Sequence, residues 1–207
     1  MIQKHSHKFV ALIAGALTLA LLSGCAAFGN FGDEVTRAFK GMEATMTTYN
    51  QDGQQMDTVK GKSFNVSRDD RFDSTDSDGS SNSDSKVLLV SLGDSHISHV
   101  GSTMVLAQEG LQDNYLEGEG YQDLENADPG TPWLNNFIEK NRNLWDGKAK
   151  TLMIRSQDGD PIAIYAGNSV EVFSTDVPSS TMFRVDDKSL FVYRADYTVF
   201  DTNLIDG

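Results

Sequence analysis

Cys25 is the only cysteine in the chain, and the residues before it decide what its sulfur can do. Residues 21–25 read Leu-Leu-Ser-Gly-Cys: an apolar run, two small residues, then the thiol. That order is the lipobox pattern, in which the sulfur accepts a diacylglyceryl group and becomes the first residue of the mature chain. A lone cysteine forms no intramolecular disulfide, which leaves this use open. Each buried acyl CH₂ contributes about 0.8 kcal/mol, so one chain holds marginally and two or three hold stably.

The other chemistry-bearing residues make weaker patterns. His96 and His99 lie three apart in Ser-His-Ile-Ser-His-Val-Gly. On a helix that spacing shares a metal, but the surroundings are strand-like, and i and i+3 on a strand face opposite sides. Asp76 and Asp78 sit in Ser74-Thr75-Asp76-Ser77-Asp78-Gly79, which resembles a calcium loop. Its first position is Ser74 rather than Asp and its twelfth is Ser85 rather than Glu, both losses of charge where the ion needs it. These four residues are therefore weak metal candidates, and no metal or cofactor is expected. No Gly-x-Ser-x-Gly elbow and no Gly-rich phosphate loop is present. No catalytic residue is singled out, because carboxylates are too numerous for any pair to stand out. Trp133 and Trp145 would suit a sugar platform, but their place on the apolar face of a helix favours core packing.

The stretch before Cys25 supplies an address. Residues 1–8 carry Lys4 and Lys8 and no acid, and 9–22 form an uninterrupted apolar run. Spanning a membrane takes about 20 helical residues, so the run is short for a span and fits the core of an export signal. Residues 1–24 read as a lipoprotein signal peptide and 25–32 as a Gly-rich tether. An ordinary secretory peptide or a short uncleaved anchor are the alternatives. Cleavage removes two lysines and no acid, leaving 15 basic and 30 acidic residues. Such a chain repels phosphate, which excludes nucleic acid as a partner. The lipid bilayer, reached through Cys25, is the one partner the sequence implies directly.

The elements that follow are expected to form one extracytoplasmic domain over 33–207. Val35, Ala38, Phe39 and Met42 recur at i, i+3, i+4 and i+7, which predicts a short N-terminal helix. From Ala44 the chain turns to β: 45–49, 56–59, 63–66, 87–90 and 97–106, with turns at Asp52-Gly53 and Gly93-Asp94. Residues 67–85 are Ser and Asp with one apolar residue, Phe72, and predict a mobile loop. Thr131-Pro132 opens a second helix, with Trp133, Leu134, Phe137, Ile138, Leu144 and Trp145 on its apolar face and Gly147 at its end. Six short strands follow, between 151 and 200. The expected fold is mainly β, an antiparallel sandwich or partly open barrel. An α+β sheet with the 133 helix on one face is the alternative.

Residues 51–66 and 157–172 align without gaps at an offset of 106, sharing Gln-Asp-Gly, a glycine (61 and 167), a serine (63 and 169) and a valine (66 and 172). About one identity is expected by composition. Either two β-units are duplicated and joined by the 133 helix, or two hairpins share turn chemistry. Val87–Val90 in the first half and Leu190–Tyr193 in the second are the strand clusters that would match next.

Ser156-Gln157-Asp158-Gly159-Asp160-Pro161-Ile162-Ala163-Ile164-Tyr165, Gly167-Asn168-Ser169-Val170 and Asp187-Lys188-Ser189-Leu190-Phe191-Val192-Tyr193 resemble a family of small lipoproteins of lactobacilli and streptococci, classed as a domain of unknown function. The resemblance is clearest over about 150–205. It implies a Gram-positive cell and the outer face of its membrane, and it brings no catalytic residue. The resulting expectation is a non-catalytic, lipid-anchored binding or structural module at the cell envelope, facing a cell-wall component or surface protein. An acidic envelope hydrolase, or an exclusion accessory of prophage or conjugative systems, is the alternative.

Overall fold

The computed structural model describes residues 34–118 and 133–205. The expected signal peptide, Cys25, the expected tether, residues 119–130 and the expected Thr131-Pro132 cap lie outside these, as does the Trp133 side chain. A short helix α1 (Glu34–Phe39) opens the described chain, ending before Met42, which is exposed. Its Val35 and Phe39 are buried, as the apolar stripe requires.

Six strands follow: β1 (Glu43–Tyr49), β2 (Gln55–Lys62), β3 (Phe64–Arg68), β4 (Leu88–Leu92), β5 (Ser95–His99) and β6 (Thr103–Gln108). Helices α2 (Asn114–Glu117) and α3 (Trp133–Lys140) and a 3₁₀ turn at Arg142–Trp145 come next. Then come β7 (Lys150–Arg155), β8 (Pro161–Gly167), β9 (Val170–Ser174), β10 (Ser180–Val185), β11 (Lys188–Tyr193) and β12 (Asp196–Asp201). All pairings are antiparallel. They form three open sheets, ordered β2-β1-β6-β11-β10-β9, β12-β7-β8 and β3-β4-β5, so the sandwich expectation holds and no sheet closes into a barrel.

The halves repeat each other residue by residue. Ala44 pairs with Gly61 and Lys150 with Gly167; Met46 pairs with Val59 and Leu152 with Tyr165. Each hairpin shifts register at the same place, before Tyr49 and before Arg155. The offset of 106 thus holds through β1–β3. From β4 onward it becomes 93: Phe64↔Leu92 answers Val170↔Val185, Val90↔Ile97 answers Phe183↔Leu190, and Tyr49↔Thr103 answers Arg155↔Asp196. Two hairpins sharing a turn motif would not agree across four strand pairings, so the duplicated reading stands. Its second half needs correcting, because Leu88–Leu92 corresponds to Thr181–Val185 of β10, and Leu190–Tyr193 corresponds to Ile97–Val100, in and just after β5. The change of offset is a 13-residue insertion in the first unit, between β3 and β4, and it falls in the Ser/Asp stretch.

That stretch carries more structure than its composition suggests. Ser67 and Arg68 extend β3. Asp69 and Ser85 are buried, and Asp69 accepts from the Arg71 guanidinium at 2.6 and 2.8 Å. Asp73 accepts from Arg68 Nη2 at 3.1 Å and from the Ser85 backbone N–H at 2.8 Å. Asp84 accepts from the Ser74 N–H and hydroxyl, both at 2.7 Å. The acids and serines bond to one another where apolar contacts are lacking.

The six-stranded sheet is covered on both faces. Met104, Leu106, Phe191 and Tyr193 pack with Phe64, Val66, Leu88 and Val90 of the β3-β4-β5 sheet. Their neighbours Val105, Leu190 and Val192 pack on the opposite face, with Leu152, Ile154 and Tyr165. Strand residues alternate between faces, so a strand buried on both sides reads as a continuous apolar run. This accounts for Met-Val-Leu-Ala and Leu-Phe-Val-Tyr. The outer face of β12-β7-β8, with Met153 and Ile164, carries Leu134, Phe137 and Ile138 of α3, together with Tyr115 and Trp145. That local layer matches the helix-on-sheet alternative, inside a larger sandwich. Among the described residues no helix is long and apolar enough to cross a membrane.

Candidate functional site

Each of the four weak metal candidates contacts a neighbouring polar group. His96 Nδ1 lies 3.1 Å from Ser91 Oγ, and His99 Nε2 lies 3.0 Å from the Ser102 carbonyl. Asp76 accepts from Asn82 Nδ2 at 3.1 Å, while Asp78 accepts from the Ser80 N–H and hydroxyl. Those Ser80 bonds hold the Asp78 carboxyl below its ordinary range. Among the described residues no three His, Cys, Asp or Glu side chains gather as a metal site would need. Trp145 is buried, donating from Nε1 to Thr151 Oγ1 at 3.0 Å, which is core work rather than a sugar platform.

One titratable residue behaves differently. Asp113 caps α2, where its Oδ1 accepts from the Tyr115 N–H at 3.0 Å. The same oxygen accepts from the Ile164 N–H at 3.0 Å, on the edge of β8. Burial raises its carboxyl to about 7, against the lowering effect of these backbone donors. The Tyr165 hydroxyl is also pushed up, first by burial and then by Asp113. The carboxyl is saturated by backbone and serves to join helix to sheet edge. Neither the cap nor its burial was read from the sequence, where 107–130 gave only an irregular connection, because the burial depends on β8 arriving from 51 residues away.

A cleft of about 650 Å³ opens where the β9–β10 loop meets the β11–β12 turn. Lys86, Gln157, Asp176, Ser180, Arg194 and Asp196 are among its lining groups. Arg194 Nη2 donates to Gln157 Oε1 at 3.0 Å, and the Tyr193 hydroxyl donates to the Lys86 carbonyl at 3.0 Å. The Arg194 N–H donates to the Ser179 carbonyl at 2.8 Å. Both of those residues have left-handed backbone, φ 58° at Ser179 and 51° at Arg194. Side chains disfavour that region by roughly 1 kcal/mol or more.

The duplicate unit sharpens this observation. The residue matching Arg194 is Gly101, whose φ is 95°. The matching turn before it has Gly93 at φ 56° against Asp186 at φ 53°. Asp186 uses its side chain, accepting from the Asn168 and Ser169 N–H groups at 2.7 and 3.0 Å. The Arg194 side chain instead bonds to Gln157, and both line the cleft. The cleft therefore gathers two cations, two acids, hydroxyls and an amide in an open space. It suits hydrogen bonding and charge recognition of a polar group. The strained cation could be read in sequence only through the alignment of Gly101 with Arg194, which needs the second offset.

No curated protein and no solved structure matches the chain. The family model described as a domain of unknown function, DUF5052, matches residues 7–205, and the chain belongs to that family.

Proposed function

We propose that this protein is a lipid-anchored, non-catalytic binding module on the outer face of a Gram-positive cell membrane. The observation that carries the anchor is the ordered sequence of basic start, 14-residue apolar run, Ser-Gly and sole cysteine. The resemblance to small lipoproteins of lactobacilli and streptococci supports the same location. The binding role is supported by the Arg194 cleft, whose polar lining and backbone strain suit recognition of a polar, charged envelope component such as a cell-wall polymer. Asp113, the buried acid, is engaged by backbone donors away from the cleft, which favours binding over acid–base hydrolysis.

The test has two parts. Cys25→Ser should move the protein from the membrane fraction to the medium, and unchanged retention would sink the anchor. Sedimentation of the released protein with purified cell walls should show binding that falls at least tenfold in Arg194→Gly. Equal binding by the variant would remove the cleft from the reading.

A further inference from the structure

The seam between the two units is one strand edge against another. β6 pairs with β11, matching Ala107 to Leu190, Leu106 to Phe191, Val105 to Val192 and Met104 to Tyr193. In terms of the repeat this contact is asymmetric, because the sixth strand of the first unit meets the fifth strand of the second. The counterparts of those two strands are β12, the sixth of the second unit, and β5, the fifth of the first. Both end their sheets, with no strand beyond them among the described residues. The molecule thus contains a mated pair of edges and, at its two extremes, an unmated pair of the same kind.

We propose that β12 of one chain pairs with β5 of a second copy in the register of the internal seam, joining chains head to tail. Transferring the seam by the offset of 93 sets Phe200 against Ile97, Val199 against Ser98, Thr198 against His99 and Tyr197 against Val100. Three observations carry this.

The first is exposure. Tyr193 and Met104, opposite each other in the seam, are 1% and 0% exposed. Their counterparts Val100 and Tyr197 are 59% and 40% exposed, two of the larger apolar side chains left in water. Pairing would cover both at once.

The second is the lack of protection. Free edges are guarded in natural sheets by lysines, proline or a covering element. β2 carries Lys60 and Lys62, and β8 begins with Pro161 and has its Ile164 N–H taken by Asp113. Neither β5 nor β12 contains lysine or proline, and β12 carries charge only at its two ends, Asp196 and Asp201, whereas the edge strand β9 has Glu171 within it and β3 lies against α1. The helices engage Phe200 and leave Asp196, Tyr197 and Thr198 exposed.

The third is polar fit: one step beyond the four pairs, His96, already beside Ser91 Oγ, falls opposite Asp201, already paired with Lys150, where the seam has Ser189 donating its N–H to Gln108. The contact joins two different edges, so it does not close on itself as a two-fold dimer does and can extend into a series.

The experiment uses the full chain with Cys25→Ser, so that introduced cysteines are the only thiols and membrane anchoring plays no part. Chains carrying Ser98→Cys and chains carrying Val199→Cys are produced with different tags, mixed and oxidised. A disulfide between the two types, absent when either is oxidised alone, is expected. Ser98→Cys linking to itself equally well would mean a two-fold contact and would overturn the proposal. Sedimentation velocity of the cysteine-free chain should show species growing with concentration beyond dimer. Val100→Lys, at an exposed site, should weaken that association at least tenfold, whereas Val172→Lys on β9 should not. A chain monomeric throughout, or equal weakening by both lysines, would also overturn it.

Discussion

The two units share every strand pairing within them and differ in what fills it. The first places glycines at its β4–β5 and β5–β6 turns and packs Val59, Val90 and His99 where the second packs Tyr165, Phe183 and Val192. The second has side chains at both turns, in the same left-handed backbone. Yet register agrees throughout, including the extra residue that shifts each hairpin. What persists is therefore backbone geometry: the bulge, the bend at Gly61 and Gly167, and the sign of φ at the turns. Such features fix pairing because a one-residue slip would turn every side chain to the wrong face. Side-chain volume is exchanged more freely, provided the total fills the space.

The contrast can be broken most forcefully in the cores. Phe183→Ala should cost about 3–5 kcal/mol, while Val90→Ala at the matching place should cost about 2 kcal/mol, both read by denaturant unfolding. Equal losses would mean that the second core does not depend on its larger residue.

Asp113 comes next, because Thr58, the β2 counterpart of its partner Ile164, has no such acid bonded to its N–H among the described residues. Its carboxyl rises to about 7 in the folded chain from an ordinary 3.8, so folding takes up a proton between those values. The stabilising contribution is complete below about pH 3.8 and is lost as pH climbs through about 7. Asp113→Asn keeps an acceptor and removes the titration. It should flatten the pH profile and exceed the parent by about 2–4 kcal/mol at pH 8.

The bend glycines give a finer contrast. A Cβ at Gly167 would stand 2.9 Å from Val185 Cγ1 and 3.1 Å from the Ser169 carbonyl, which is backbone. At Gly61 it would meet the end of the Leu92 side chain, which can swing away. Gly167→Ala should cost about 1–3 kcal/mol and Gly61→Ala less, by thermal melting.

At the cleft, Arg194→Gly should gain about 1 kcal/mol by releasing strain, and Gly101→Ala should lose about as much. The smallest effect is expected from deleting residues 73–85, which gives the first unit the loop length of the second. Shorter loop closure favours the variant by about 1 kcal/mol, offset by the bonds of Asp73, and far-ultraviolet circular dichroism should be unchanged.

Much of this architecture could be read in advance where local chemistry decides it. Asp52-Gly53 and Asp158-Gly159 marked their hairpins because the turn needs positive φ, and the stripe through Val35 and Phe39 marked α1 because a helix has one apolar side. The repeat was visible only over 51–66, since the insertion shifts the second alignment and few side chains match beyond it. Ile97–Leu106 read as strand with Gly101 as a bulge or a turn, and the turn is what forms; that β6 then leaves β5 for a different sheet is something nothing local says. The cleft was not legible at all, because Lys86, Gln157 and Arg194 meet only once both units are assembled.

The seam has a consequence for how the molecule comes apart. Phe191, Tyr193 and Met182 belong to the second unit by descent but complete the interior of the first, while Tyr49 and Val105 are lent in the other direction. Neither half owns the walls of its own room. Cutting the chain between β6 and β7 would leave each with missing timber, so the natural unit of melting is the pair.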